Sequence, residues 1–542
     1  MKIIFGITSI LLLAVFLVAY LYFSSLTVDS RSNDKTLAGI PADASVIFNF
    51  SNDKSLYEIF KDYTVFDAIT GNKKKQELQW LKGLLLNNRD LFSATQGQKV
   101  FLSFHPMSSG SLQYLWVMPL QGDLKPADIQ EVLAKLESNQ IKVTDTSGVS
   151  LLEIKNNEIK DSFYIGIDRG IARGSFSKAL VLQSLDKNRK KISKEFIKEI
   201  NDAMVKNDDV LASLYINHSA PGFLNSFFKL SPNGNFGLFS GFPAYSRLHL
   251  NYKSDALMFN GVTRFTNKHD GYLNLFLKQK PTKNTIKKLI PYNMSNAICY
   301  GLSDYTEFND GLKRLFEMRK ELNILHEQIK LITTETGINP DRDIKKLWGN
   351  EFSNIQLSTF EDLAVIRISN GRQLQFFLEP LSTLYSDAVR KMDYENLFYY
   401  YWGDPLKKYS KPFFAVADNL VIISNSPGTV QRFLNDYNAD RLLYTNKSFT
   451  RFDQLVADQS NVSFLLQLNN SGGVLKTILR KEYSSIFKSD EYGFKDFYGV
   501  SYQLTSNTNH FFTNFYIGYE NIAALSTDSL VYSKDKTLII TK

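Results

Sequence analysis

The chain writes its opening phrase twice, and a fold that must carry the same pattern at two places is the tightest constraint in the sequence. Residues 40–50 read IPADASVIFNF and residues 290–300 read IPYNMSNAICY, so Pro41 and Pro291 stand 250 positions apart, as do Ser45 and Ser295. The segment DSFYIGIDRGIARGSFSKA then aligns with KPFFAVADNLVIISNSPGT, placing Phe163 on Phe413 and Asp168 on Asp418 at the same spacing. Further on, Asn217 falls on Asn469 at 252, and Leu250, Leu257 and Asn260 fall on Leu504, Phe511 and Asn514 at 254. A spacing that widens slowly while segment order persists is what loop insertions do to a tandem duplication. The expectation is two related domains, at 37–280 and 281–542.

Each copy reads as mixed helix and strand. Residues 46–50 are extended, whereas 54–69 and 73–86 have helical periodicity, with Leu78, Leu81 and Leu85 on one stripe. Residues 99–104 with 112–118, 150–154 with 163–167, and 245–252 with 257–265 read as three hairpins, and 210–216 as a further strand. A helical pair spans 177–203. Because helices come in pairs between hairpins, and not singly between parallel strands, the expected class is α+β with a mostly antiparallel sheet covered on one face. In the second copy, one amphipathic helix is expected over 308–332, where Leu312, Leu315, Leu322, Leu325 and Ile329 form a stripe.

Ahead of both copies lies an uncharged apolar run from Ile3 to Phe23. At 1.5 Å per helical residue it spans roughly 30 Å, enough to cross a bilayer. A cleaved signal peptide has a shorter apolar core, of about 7 to 15 residues, and a small-x-small exit. Here the exit is Tyr20, Leu21, Tyr22 and Phe23, which suits an interfacial belt, although Phe23-Ser24-Ser25 leaves a cleavable alternative open. Lys2 on the short side favours a cytoplasmic N-terminus. The expectation is an uncleaved anchor at 1–23, a polar tether at 24–36, and a body exported to the periplasmic side of a bacterial inner membrane.

A single cysteine, Cys299, excludes an internal disulfide, so the body is held by packing alone. The net charge of +8 is spread along the chain with no basic tract longer than Lys73-Lys74-Lys75, which speaks against nucleic acid as a partner. Six histidines show no HxxxH or Cys/His spacing, and no GxSxG, GxxxxGK[ST] or GxGxxG is present. No catalytic, cofactor-binding or metal-binding residues are therefore assigned. Two aromatic clusters remain as a possible partner surface. One is the run Leu397 to Trp402, read as a strand that would expose alternate rings, from which Tyr399, Tyr401 and Trp402 are taken. The other is a glycine-punctuated loop carrying Phe236, Phe239 and Phe242.

The opening Ile40-Pro41-Ala42-Asp43-Ala44, placed just after an N-terminal membrane segment, resembles a family of bacterial envelope proteins of uncharacterised function, and the Asn-, Lys- and Phe-rich texture is similar to its Bacteroidetes branch. The resemblance implies α+β repeats outside the cytosol and transfers no catalytic residue. The second copy departs from the motif, with Tyr292-Asn293-Met294 in place of Ala-Asp-Ala. Taken together, these features lead to the expectation of a membrane-anchored, non-enzymatic binding or scaffolding module with an envelope protein as partner. The alternatives are an envelope hydrolase or glycan-acting enzyme using carboxylates at the interface of the two domains, and a carrier of apolar ligands, which would require an enclosed apolar cavity.

Overall fold

The computed structural model describes residues 33–520 apart from 54–67, 69–74, 84–87, 107–111, 122–125, 135–138, 147–148, 157–160, 207–209, 221–225, 240–242, 254–255, 267–270 and 487–492. The expected membrane anchor and most of the tether lie outside the described residues, as does much of the helical pair expected at 54–86, of which 75–83 are helical. Among the described residues no helix is long and apolar enough to cross a membrane. The chain divides into two compact units, residues 1–62 with 73–226, and 63–72 with 227–542.

The first unit contains strands β1 (Val46–Ser51), β2 (Lys99–Pro106), β3 (Leu112–Pro119), β4 (Asn139–Thr146), β5 (Val149–Asn156), β6 (Phe163–Asp168), β7 (Ile171–Ser175) and β8 (Ala212–Asn217). Its helices include α1 (Arg89–Thr95), α2 (Pro126–Ala134), α3 (Lys178–Leu185) and α4 (Lys194–Lys206). Every strand pairing is antiparallel, in the order β8-β1-β2-β3-β7-β6-β5-β4. The turn between β6 and β7 carries Arg169 at φ 51° and Gly170 at φ 72°, two left-handed residues that match the twist of a tight hairpin. Helix starts are set by side chains: Asn88 accepts from the Asp90 and Leu91 amides at 3.0 Å, and Ser177 accepts from the Leu180 amide at 3.4 Å. Such caps are worth about 1 kcal/mol each.

The second unit contains β9 (Ala244–Lys253), β10 (Ala256–Phe265), β11 (Met294–Gly301), β12 (Trp348–Leu357), β13 (Asp362–Ile368), β14 (Ser382–Leu384), β15 (Arg390–Met392), β16 (Phe413–Ala417), β17 (Leu420–Ser424), β18 (Val462–Gln467), β19 (Phe497–Asn507) and β20 (His510–Tyr519). Its helices include α5 (Tyr305–Met318), α6 (Leu322–Thr336), α7 (Pro340–Asp343), α8 (Gly371–Leu378), α9 (Leu397–Trp402), α10 (Pro427–Asn438), α11 (Lys447–Gln454) and α12 (Leu468–Ile478). The sheet is again antiparallel, ordered β14-β15-β16-β17-β13-β12-β11-β18-β19-β20-β10-β9. The class is α+β. Hairpin β9-β10, which a boundary at residue 280 would give to the first copy, pairs through β10 with β20 and lies in the second unit.

Three expectations change. The second unit's sheet is covered on both faces, since Ile298 and Tyr300 of β11 enter one core with α5 and α9 while Ala297 and Cys299 enter another with α10 and α11. All eight residues of β11 are buried as a result. The helix expected over 308–332 is two helices, α5 and α6, because Lys320 takes φ 61° and the Glu321 amide closes back onto the Phe316 carbonyl at 2.9 Å. That is a left-handed helix terminus built without glycine. The run Leu397 to Trp402 is a helix, not a strand.

Candidate functional site

Helix α9 shows why six consecutive aromatic and aliphatic side chains need no surface. All six are buried, with Tyr401 and Trp402 at 0% exposure and Tyr399 at 4%. Asn396 at φ 59° starts the helix and Gly403 at φ 73° ends it, and a Cβ on Gly403 would come within 2.6 Å of the Tyr272 ring and 2.7 Å of Leu312. The phenols then reach carboxylates at the rim: Tyr399 Oη donates to Glu321 at 2.5 Å, while Tyr400 and Tyr401 each donate to Asp341 at 3.1 Å. Tyr399, Tyr401 and Trp402 are thus core residues and form no partner surface. Phe236 is half-buried and packs its ring 5.9 Å from Phe228 and 5.6 Å from Phe464. Its loop is pinned by Asn235, whose amide donates to Asn296 at 2.8 Å and accepts from Asn354 at 3.0 Å. Phe239 ends the short 3-10 helix Gly234–Phe239, and Phe242 lies outside the described residues.

A constellation that motif searching missed lies in the first unit. Ser103 and His105 sit two apart on β2 and so point the same way. Ser103 Oγ is 2.8 Å from His105 Nε2, and His105 Nδ1 is 3.0 Å from Asp43 Oδ1. With Asp43 ionised, Nδ1–H donates to the carboxylate and Nε2 accepts from the serine. Burial pushes the Asp43 carboxyl up, but the hydrogen bond from His105 and its electrostatic attraction outweigh it and hold the group below its usual range. The order matches a nucleophilic triad. Its setting does not: Ser103 and His105 are both at 0% exposure, and Ser103 Oγ also faces the Leu115 carbonyl at 3.3 Å. The signal legible in sequence was a Ser-x-His inside a strand, with Asp43 supplied by the opening motif.

The other side of the same sheet holds a cavity of about 80 Å³. Val100 lines it, and Val100 alternates along β2 with Phe101, Ser103 and His105, so the relay faces away from it. Trp116 and Met118 of β3, Ile165 of β6 and Ala172 of β7 form the floor, and Leu91 of α1 and Ile129 of α2 close over it. Gly174 has a reason to lack a side chain, since a Cβ there would stand 2.6 Å from the Phe163 ring that forms part of the wall. The lining is apolar but for two groups. The Thr95 hydroxyl is engaged, donating to the Leu91 carbonyl at 2.7 Å and accepting from Asn52 at 2.9 Å. The buried Trp116 Nε1 finds no acceptor among the described residues.

Among the described residues no group of three or more His, Cys, Asp or Glu side chains could hold a metal ion. Compared with known proteins, the chain matches no family model, no curated protein and no solved structure.

Proposed function

We propose that this is a membrane-anchored envelope protein of two related α+β copies that works by binding rather than by catalysis, and that its first unit takes a small apolar ligand between sheet and helices. One observation carries the binding reading: an apolar cavity of about 80 Å³ beneath α1 and α2, where Trp116 Nε1 finds no acceptor among the described residues. An apolar hollow between sheet and helices is the feature a small apolar ligand would fill.

Kinship of the copies is supported by strand order, since β8-β1-β2-β3-β7-β6-β5-β4 recurs as β18-β11-β12-β13-β17-β16-β15-β14. It is supported in detail by Ser175 and Ser424, whose hydroxyls donate to the Tyr114 and Asp362 carbonyls at 2.7 Å in each case. Ser177 and Ser426 then cap the helices that follow. Pro41 bridges Lys191, and Pro291 bridges Leu442. The envelope location rests on the run Ile3 to Phe23 and on the family resemblance of the opening motif.

Cyclopentane, small and featureless, is the probe that tests the cavity by calorimetry on the full chain. Binding is expected in the wild type and loss of binding in Ala172→Leu, whose added carbons occupy the space, with the melting temperature unchanged or raised. Absence of cyclopentane binding in the wild type, or undiminished binding in Ala172→Leu, would overturn the reading.

A further inference from the structure

Trp116 projects from β3 on the cavity side of the first unit's sheet, as does Met118 two residues on. Pairing sets it in one row with Leu102 of β2, Gly174 of β7, Ile165 of β6 and Leu152 of β5. Apart from the indole, that row carries no polar side-chain atom. Gly174, directly beside the indole, brings no side chain at all, and both residues line the cavity with Ile165. The indole meets the Phe50 ring edge to face at 5.9 Å and the Tyr114 ring at 6.5 Å, and the Tyr114 hydroxyl turns to Glu77, donating to it at 2.6 Å.

The oxygens that close over the hollow already accept from other donors. At the end of α1, the Leu91 carbonyl takes the Thr95 hydroxyl at 2.7 Å and the Ala94 carbonyl takes the Gln121 amide at 2.9 Å. The Thr95 carbonyl takes the Gln98 amide at 3.1 Å and the Asn52 side chain at 3.2 Å. On the sheet side, β3 lies between β2 and β7, so its carbonyls serve the ladders. The buried Trp116 Nε1 is thus left without an acceptor among the described residues. Such groups are few in native proteins, and each one penalises whatever is packed against it without an acceptor of its own. No charged side chain lines the cavity, so an ammonium or a carboxylate would enter it unpaired.

We propose that the ligand of this cavity is a small uncharged molecule with an apolar body and one accepting oxygen, of the ketone, ether or ester kind, which takes the hydrogen bond of Trp116 Nε1. The inference rests on the cavity reading above and adds the chemistry that orients the ligand. Apolar walls supply the contact area, and a single fixed donor selects among molecules of equal shape.

Cyclopentanone is the probe and cyclopentane its counterpart without the oxygen, each titrated calorimetrically into the full chain. The two differ in their own hydration, so the quantity to read is the ratio of their affinities in wild type and in Trp116→Phe. That ratio is expected to move against cyclopentanone by about fivefold when the indole N–H is removed, the scale of one neutral hydrogen bond. Independently of any variant, one of the four indole N–H resonances of the wild type should move downfield with cyclopentanone and stay in place with cyclopentane. An indole held by the face of the Phe50 ring would do neither. Cyclopentane binding accompanied by an unchanged affinity ratio, or by indole resonances that ignore cyclopentanone, would overturn the inference and leave the cavity reading standing. Failure of both probes to bind would overturn the two together.

Discussion

His105 illustrates how a single side chain can look catalytic and be structural. Its ring is fully buried, both nitrogens are engaged, and the carboxylate it holds belongs to the turn that feeds β1. A nucleophile needs an approach for substrate and donors for the oxyanion, and Ser103 has no exposed surface. The relay therefore ties the opening motif to the sheet. His105→Ala is expected to destabilise the protein by roughly 2–4 kcal/mol in urea unfolding, combining a lost ring with a carboxylate left half-paired. A fluorophosphonate is expected to leave Ser103 unmodified in the native protein, as read by peptide mass spectrometry. Labelling at Ser103 would restore the catalytic reading. Because the Asp43 carboxyl is held low in the fold, the stability it lends is present above the ordinary carboxylate range and is lost as pH falls from that range through the lower value it has in the fold.

At the scale of elements, the hairpins are legible in the sequence and helix limits are not. Hairpins such as β2-β3 and β9-β10 could be read because alternation of side chains is a local signal. The break between α5 and α6 could not, because Lys320 is a good helix former and its left-handed φ is imposed by surroundings. Among these surroundings is Arg319, whose guanidinium grips Asp404 through two bonds, at 2.5 and 3.0 Å. Helix α9 was misread for a related reason: aromatic residues favour strands by propensity, yet rings from α5, β12 and α9 meet in one core, as when Phe352 and Trp402 lie 4.7 Å apart. The cavity was invisible for a different reason, since it is made of residues scattered from Leu81 to Gly174 whose types are those of any core. Lys320→Gly should stabilise the protein by about 0.5–1 kcal/mol, the relief of a left-handed lysine less the extra unfolded-state freedom of glycine. Lys320→Ala should give no gain. Equal urea midpoints for lysine and glycine would show that the bend carries no strain.

For the molecule as a whole, the choice of tyrosine as core material ties stability to alkaline pH. Tyr272, Tyr401 and Tyr409 are buried in the second unit, each with its phenol held well above the ordinary range, first by burial and then by neighbouring groups, Asp341 among them for Tyr401 and Asp362 for Tyr409. Their hydroxyls are satisfied without ionising: Tyr272 donates to the Trp402 carbonyl at 2.6 Å and Tyr409 to Asn354 at 3.1 Å. In the unfolded chain a phenol loses its proton near pH 10. Above that value the folded state holds more protons than the unfolded state, so stability falls as pH rises, by about 1.4 kcal/mol per pH unit for each such group. Three of them remove roughly 4 kcal/mol per unit, enough to erase a typical folding free energy within about two to three units. Tyrosinate absorbance and circular dichroism followed together should therefore change in one steep step above about pH 10 for these residues. Complete tyrosine ionisation while the sheet signal persists would mean that hydroxide enters the aromatic core without unfolding it.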